Sequence, residues 1–213
     1  MNRTAAVAII KRGLGYRQTQ DTSIISALQQ AQRDLESGKT LPNWLVVFDQ
    51  PVAVTAGTAV STLPTGFLRV HEDYTPYYVN SSGGIVTIPK RLDDEAHAAY
   101  PITTPVSGSY PSVYVQRNKT TVEWVPKPMA TFTTYWTFYK AAVLLDSDVE
   151  NAWLANAANY LIGLAGMIVA GDLRDQGAMQ KFTQMAKMGG QSYLGDVIED
   201  ELAGRPLMMG RNN

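Results

Sequence analysis

Cysteine is absent from this sequence of 213 residues. Without cysteine the chain can form no disulfide framework, no thiol nucleophile and no cysteine-ligated zinc site. Hydrophobic residues make up 45% of the chain, and a chain of this length buries roughly 70% of its unfolded surface on folding. The sequence therefore predicts a globular protein that folds without disulfide bonds, as suits a reducing cell interior.

Long apolar runs are also lacking. At the N-terminus, the run from Ala5 to Ile10 is shorter than the roughly 7–15 residues of a signal-peptide core. The most apolar stretch, from Tyr160 to Gly171, is about half the length needed to cross a bilayer. We therefore expect neither secretion nor a membrane span, and no membrane partner.

Charged residues are few, at 17%, and they are distributed unevenly. Residues 1–40 carry six basic and three acidic groups, a net charge of +3, whereas residues 148–201 carry three and eight, a net charge of −5. Tight binding to duplex DNA depends on neutralising phosphates, so this balance argues against it. A nucleic-acid-binding module that uses the basic N-terminal helices stays open as an alternative.

Residues suited to catalysis are scarce. The only histidines are His71 and His97, and the chain has no nucleophile-elbow, zinc-protease, P-loop or dinucleotide-binding motif. Asp93 and His97 stand one helical turn apart, where a divalent ion could bind, but an acidic first turn that complements the helix dipole is the favoured interpretation. We predict no catalytic residue, no metal site and no cofactor. An enzyme whose site carries no motif is the alternative.

The first 40 residues predict two helices. One runs from about Arg3 to Leu14 and ends near Gly13 and Gly15, which suit a left-handed helix exit. The second begins near residues 21–23, where Asp21, Thr22 or Ser23 can cap it, and Gly38 ends it. Its predicted buried face has helical spacing and consists of Ile24, Ile25, Leu28, Ala31 and Leu35.

Residues 41–146 change to a strand pattern. Strands are predicted at 45–48, 52–63, 67–70, 77–79, 85–88, 113–116, 121–125 and 132–139. Residues 80–84 and 117–120 connect two of these pairs as hairpins. Prolines, among them Pro51, are placed between strands because they end strand ladders. A short helix is predicted at 93–99.

Residues 147–202 return to helix. A capping box, Ser147-Asp148-Val149-Glu150, predicts the helix start, where the carboxylates of Asp146, Asp148 and Glu150 favour the positive end of the dipole. The apolar positions that follow at helical spacing are Val149, Trp153, Ala157, Tyr160, Leu161, Leu164 and Ile168.

A second C-terminal helix is predicted at 175–188. Its side chains expected to face the core are Met179, Phe182, Met185 and Met188. Gly189 and Gly190 predict a break before a shorter acidic helix at 193–202, and residues 203–213 have no helical or strand periodicity.

These patterns together predict an α+β fold. The N-terminal helices (1–40) and C-terminal helices (147–202) form one bundle, residues 41–146 are a β-rich insertion, and residues 203–213 are an extended C-terminal arm. Aromatic residues crowd the last strand, at Tyr135, Trp136, Phe138 and Tyr139. We interpret this strand as part of a sheet with one face in the core and the other in an interface. Stacking of these rings on nucleic-acid bases is the alternative.

Three stretches carry a resemblance to a known family. They are the helix Ile25-Ser26-Ala27-Leu28-Gln29-Gln30-Ala31-Gln32-Arg33-Asp34-Leu35, the turn and strand Leu63-Pro64-Thr65-Gly66-Phe67-Leu68-Arg69, and the aromatic strand followed by Leu145-Asp146 and the Trp153-Leu154 helix. In this order they resemble the podovirus-type head-to-tail adaptor family, also called tail tubular protein A or head-completion proteins. The resemblance covers nearly the whole chain. The polar-aromatic pattern of the family's long helix is matched only in part, by Asn156, Asn159 and Tyr160.

The resemblance implies a structural role in a tailed bacteriophage. It implies a ring, typically of twelve copies of the chain, docked beneath the portal protein of the capsid. The lumen of the ring would pass DNA without binding it specifically, and the lower face would receive a tail or nozzle protein. The chain would lie in the virion neck after assembly in the host cytoplasm. Another virion component, such as a tail-tube or stopper protein, is the alternative.

The C-terminal arm offers a route to the portal. Arg205 and Arg211 bracket a short apolar segment formed by Pro206, Leu207, Met208 and Met209. Burying three large apolar side chains contributes about 1.5–3 kcal/mol each, whereas ordering ten residues costs roughly 1 kcal/mol apiece or more. A single arm therefore binds marginally, but a ring of arms gains by effective concentration. We hypothesise that the arm inserts into the portal; a frayed terminus is the alternative.

Overall fold

The computed structural model describes residues 1–16, 21–100, 110–145 and 148–203. The chain divides into two compact units, Met1–Trp44 with Ala142–Asn213, and Leu45–Ala141. In the described residues, the first unit is helical and the second contains both sheets and one short helix. The predicted α+β fold is confirmed, with helices from both ends of the chain packed against each other in one unit.

The regular elements follow the predicted order. The α-helices are α1 (Arg3–Gly13), α2 (Asp21–Glu36), α3 (Asp93–Ala99), α4 (Ala152–Asn156), α5 (Ala158–Asp172) and α6 (Gln176–Ala203), and a 3₁₀ turn covers Asn43–Leu45. The strands are β1 (Val46–Val54), β2 (Val60–Thr62), β3 (Phe67–Val70), β4 (Tyr77–Val79), β5 (Ile85–Thr87), β6 (Val113–Gln116), β7 (Thr121–Val125) and β8 (Phe132–Lys140).

Helix α5 lies at the centre of the helical unit. It contacts α1, α2, α4 and α6, and the side chains of Leu161, Ile162 and Ala165 are fully buried. A helix that is apolar around most of its circumference is expected to be surrounded by partners rather than to lie at a surface. The predicted apolar positions Leu164 and Ile168 are only half-buried, so the most deeply buried face is shifted from the predicted one.

Small residues let α6 approach α5 closely. A Cβ atom added at Gly163 would lie 2.5 Å from the backbone nitrogen of Ala186, and one added at Gly166 would overlap the ring of Phe182. A Cβ atom at Gly13, at the end of α1, would also overlap that ring. Glycine is required at these positions because only a residue without a side chain leaves room for the neighbouring backbone or ring.

The predicted helix break at Gly189 and Gly190 is wrong. Helix α6 runs without interruption through both glycines. A Cβ atom at Gly189 would lie 2.5 Å from the backbone nitrogen of Tyr160, so this glycine serves helix packing instead of helix termination. The assignment of core methionines also fails in part, since Met179 is 40% exposed and Met188 is 65% exposed, whereas Phe182 is buried as predicted.

The predicted capping box at 147–150 is also wrong. The next helix, α4, begins at Ala152, and the side-chain oxygen of Asn151 caps it by accepting from the Leu154 N–H at 3.1 Å. Asp148 instead lies at the start of α1, where its carboxylate accepts from the Thr4 N–H at 3.1 Å and from the Asn2 amide at 3.0 Å. The preference of a carboxylate for a helix N-terminus holds, but for a different helix.

A buried polar network connects α2 to the segment before α4. The amide of Asn151, which is 1% exposed, donates to the side-chain oxygen of Gln32 at 3.1 Å and to the Val143 carbonyl at 2.6 Å. One carboxylate oxygen of Glu36 accepts from Gln32, from the Ala142 N–H and from the Trp153 indole, at 3.0–3.1 Å. Each of these donors therefore has a partner, which avoids the penalty of an unpaired buried polar group.

Two antiparallel sheets form the second unit. The first sheet has the order β1-β8-β4-β5, with β3 also paired to β8, and the second has the order β2-β7-β6. Strand β8 is the central strand of the larger sheet, as its run of aromatic and β-branched residues suggests. Both predicted hairpins, β4–β5 and β6–β7, are confirmed. The predicted strand at 52–63 is divided between β1 and β2, which belong to different sheets.

Pro51 lies inside a strand, contrary to the prediction that prolines fall between strands. It is opposite Tyr135 in the pairing of β1 with β8. Strand β1 pairs only with β8 in the described residues and is therefore an edge strand, the position where a residue without an N–H is tolerated. A register shift between Val47 and Gln50 adds a bulge beside it, where Asp49 adopts a positive φ of 49°.

Aromatic side chains from both sheets form the core of this unit. The ring of Trp136 lies 5.0 Å from that of Tyr114 and 6.0 Å from that of Trp124, and all three side chains are at most 2% exposed. The Trp136 indole N–H donates to the Thr134 hydroxyl at 2.9 Å, and this hydroxyl donates to the Val52 carbonyl at 3.1 Å. The tightly packed core therefore also satisfies its polar atoms.

Replacing Gly166 with alanine should destabilise the helical unit. The new Cβ would overlap the Phe182 ring, and such overpacking costs about 1–3 kcal/mol, of which the gain in helix propensity offsets up to about 1 kcal/mol. Urea denaturation followed by circular dichroism measures the change. The matched control is Gly195→Ala in α6, where no heavy atom lies within 4 Å of the added Cβ. Equal stability of the two variants would contradict the packing role.

The core should lose stability in alkali through Tyr114. Burial raises the pKa of the Tyr114 phenol from 10.0 to about 12, so the folded state retains the proton longer than the unfolded state. The contribution of the Tyr114 phenol to folding stability is fully present below pH 10 and is lost as the pH rises from about 10 to about 12. Tyr114→Phe should shift alkaline unfolding to higher pH, measured by circular dichroism. Tyr16→Phe, at a side chain 70% exposed, should not.

Candidate functional site

The residues proposed from the sequence for portal binding are Arg205, Pro206, Leu207, Met208, Met209 and Arg211, and all of them lie outside the described residues. Asp146 of the predicted carboxylate cluster lies outside them as well. In the described part of the chain, the candidate binding surfaces lie on the two units themselves.

One face of the larger sheet points to solvent. In antiparallel pairs, residues directly opposite each other project from the same face. The registers place Pro51 opposite Tyr135 and Tyr135 opposite Tyr77, and they continue to Thr87 on β5. The adjacent row holds Val79 opposite Ile85 and Ala53 opposite Thr133. We call this set the outer sheet face: Pro51, Ala53, Tyr77, Val79, Ile85, Thr87, Thr133 and Tyr135.

None of the eight side chains of the outer sheet face carries a charge. Ile85 is 69% exposed and Val79 is 47% exposed, while Tyr77 and Tyr135 are half-buried and stack on each other at 5.3 Å. The Tyr77 hydroxyl donates to Asp49 at 3.1 Å, and desolvation together with this bond raises the pKa of Tyr77. Removing water from an uncharged, partly apolar surface is favourable, so this face is suited to contact with another protein.

The aromatic residues of β8 divide between the two faces. Trp136 and Phe138 point into the core and are at most 1% exposed, whereas Tyr135 belongs to the outer sheet face. Tyr139 also lies on the outer side, but His71 covers it with a stacked ring at 5.0 Å, and it is only 7% exposed. The core side of the predicted two-faced sheet is therefore observed, and its interface side stays a prediction.

A cluster of charged side chains joins α3 to the β6–β7 hairpin. Arg117 pairs with Asp93 at 2.7 Å and with Glu123, and His97 lies 3.2 Å from Asp93 and 3.6 Å from Glu123. A hydrogen bond from Arg117 lowers the pKa of Asp93, and the hydrogen bonds to Asp93 and Glu123 raise the pKa of Arg117. The sequence indicated the Asp93–His97 pair but not Arg117 or Glu123, because these two residues reach the helix only through the packing of the β6–β7 hairpin against α3.

The acidic first turn of α3 is as predicted. Asp93, Asp94 and Glu95 occupy that turn, and the N-cap residue Leu92 provides no side-chain cap. Carboxylates near an uncapped N-terminus interact favourably with the helix dipole. The pairing of Asp93 with Arg117 adds a second role, which is to hold the helix against the hairpin.

Among the described residues, no helix is both long enough and apolar enough to cross a membrane. The features found are a tightly packed helical unit, a two-sheet unit with an uncharged outer face, and charged residues that pair with one another.

Comparison with known proteins defines the family. No curated protein sequence matches this chain. The sequence model of the SU10 adaptor protein family matches residues 2–209, nearly the whole chain, and the chain belongs to this family. Its members are structural phage adaptors, so the protein is a bacteriophage virion component. The resemblance to phage adaptors noted in the sequence is thereby confirmed.

Proposed function

We propose that this chain is the repeating subunit of a ring that joins the portal protein to the tail and lets DNA pass through its lumen. The observation that carries the proposal is the match to the SU10 adaptor family over residues 2–209. In this proposal the ring contains twelve copies, lies in the virion neck, is assembled in the host cytoplasm and has no enzymatic activity. A tail or nozzle protein binds the side opposite the portal.

The parts of the chain have separate roles in this proposal. The helices of 1–40 and 147–202 act as one domain, residues 41–146 as a second, and residues 203–213 as an arm. Close packing around Gly163 and Gly166 leaves little free space between the helices of the first domain. A net charge of only −1 gives the chain little overall electrostatic attraction for DNA phosphates, which supports passage of DNA without tight binding.

The outer sheet face supports the proposal by offering a contact surface between copies. Stable interfaces have an uncharged, partly aromatic centre, and this surface combines Tyr77 and Tyr135 with exposed Val79 and Ile85. A charge introduced on this face would have to be desolvated on assembly, which costs several kcal/mol without a partner. The face can therefore be tested by single substitutions.

The arm would bind the portal by avidity. Helix α6 ends at Ala203, so the arm residues Pro206 to Arg211 follow within a few positions of the last described turn. Three apolar residues, Leu207, Met208 and Met209, contribute about 1.5–3 kcal/mol each on burial, which is comparable with the cost of ordering the segment. Twelve such arms acting together are needed for firm attachment.

Truncation after Ala203 should abolish portal binding while leaving the fold intact. The deletion removes residues 204–213 and none of the described elements. Negative-stain imaging of purified protein mixed with purified portal should show a ring stacked on the portal for the full chain and free portals for the truncated one. Unchanged circular dichroism and thermal unfolding serve as the control for folding. Undiminished stacking by the truncated chain would refute a role of the arm.

Ile85→Lys should weaken self-association without unfolding the protein. The substitution places a charge on an exposed position of the outer sheet face, where surface changes typically alter stability by less than about 0.5 kcal/mol. Sedimentation velocity should show a shift from ring to smaller species. Met129→Lys is the matched control, because Met129 is 67% exposed in the same unit but lies outside the face. Equal effects of both variants would count against the face as an interface.

A further inference from the structure

The charged cluster between α3 and the β6–β7 hairpin brings three potential metal ligands together. The Nε2 atom of His97 lies 3.2 Å from Oδ1 of Asp93 and 3.6 Å from Oε1 of Glu123. All three ligand atoms lie within 4.8 Å of one another. Histidine nitrogen and carboxylate oxygen are common ligands of Zn²⁺ in proteins.

Arg117 engages these carboxylates through their other oxygens. Its guanidinium pairs with Oδ2 of Asp93 at 2.7 Å and with Oε2 of Glu123. Oδ1 and Oε1 are the carboxylate oxygens nearest to Nε2 of His97, so they are the oxygens that could share an ion with it. Arg117 thus holds both carboxylates in place in the manner of the hydrogen-bonded partners that orient metal ligands.

Two of the three separations between the ligand atoms, those from Nε2 of His97, fit a tetrahedral ion. Zn²⁺ binds nitrogen and oxygen at about 2.0–2.2 Å, and two such ligands at a tetrahedral angle lie roughly 3.4 Å apart. The observed separations of 3.2 and 3.6 Å bracket this value. A larger hard cation such as Ca²⁺ prefers six to eight oxygen ligands, which this cluster does not supply in the described residues.

The charge of the cluster also favours a cation. Two carboxylates and one guanidinium leave a net charge of −1 when His97 is neutral. The Nη2 atom of Arg117 lies 3.3 Å from Nε2 of His97, so the guanidinium opposes an incoming cation and lowers its affinity. Among the described atoms, only Nε2 of His97 has polar partners, since Nδ1 is buried without one.

We propose that Asp93, His97 and Glu123 bind one Zn²⁺ ion, with Arg117 as the residue that orients the two carboxylates. Three protein ligands leave a fourth position for water. Since Asp93 and His97 lie on α3 and Glu123 lies on β7, the ion would cross-link the helix to the hairpin. The role is structural and does not depend on the proposed function of the chain in the virion.

The test is a titration of the purified full-length chain with ZnCl₂ in a chelator-free buffer, followed by isothermal calorimetry. We expect one ion per chain, with at least about tenfold weaker binding for His97→Ala and for Glu123→Gln. Co²⁺ in place of Zn²⁺ should give visible absorption bands that the same two variants lose. Thermal unfolding of each variant without metal shows whether it is folded.

Two matched controls separate a specific site from general attraction of cations. His71→Ala removes the only other histidine, and Asp94→Asn removes a carboxylate beside Asp93 in the same turn but outside the ligand set. Both should bind Zn²⁺ as the unmodified chain does. Absence of binding by the unmodified chain, or binding by folded His97→Ala and Glu123→Gln variants at full strength, would overturn the proposal and leave the cluster as a set of ion pairs.

Discussion

The close approach of α5 and α6 is the constraint on which the helical unit depends. A Cβ atom at position 163, 166 or 189 would overlap the facing backbone or ring. These three positions therefore require glycine. The Phe182 ring then fills the space between Gly13 and Gly166 and brings α1 to the same contact. Residues from both ends of the chain thus converge on one aromatic ring, which fixes how the first and last helices are arranged.

The strand-rich unit combines a buried aromatic core with an uncharged outer surface. Trp124, Trp136 and Tyr114 are buried between the sheets, and the indole N–H groups of both tryptophans donate to hydroxyl oxygens within the unit. Alternation along β8 then leaves Thr133 and Tyr135 on the opposite face. This face therefore combines apolar and aromatic area with the polar hydroxyl groups of its tyrosines and threonines.

Sequence patterns predicted the fold well where the periodicity was local. The two hairpins, the central strand β8 and the helix α3 all follow from alternation and turn residues. The errors arose where tertiary contacts decided the outcome. Gly189 suggested a helix end but lies against Tyr160, and Asp148 suggested a cap for its own helix but bonds to Thr4. Neither contact could be inferred from neighbouring residues, and the same holds for the meeting of Glu123 with His97.

The edge strand β1 has a consequence for the aggregation of this protein. Pro51 has no N–H to offer, and the bulge at Asp49 bends the strand beside it. An intact edge of nine residues would be a template on which further chains could add without limit, as in amyloid. By interrupting that template, the proline and the bulge make this edge a poor site for the addition of further strands.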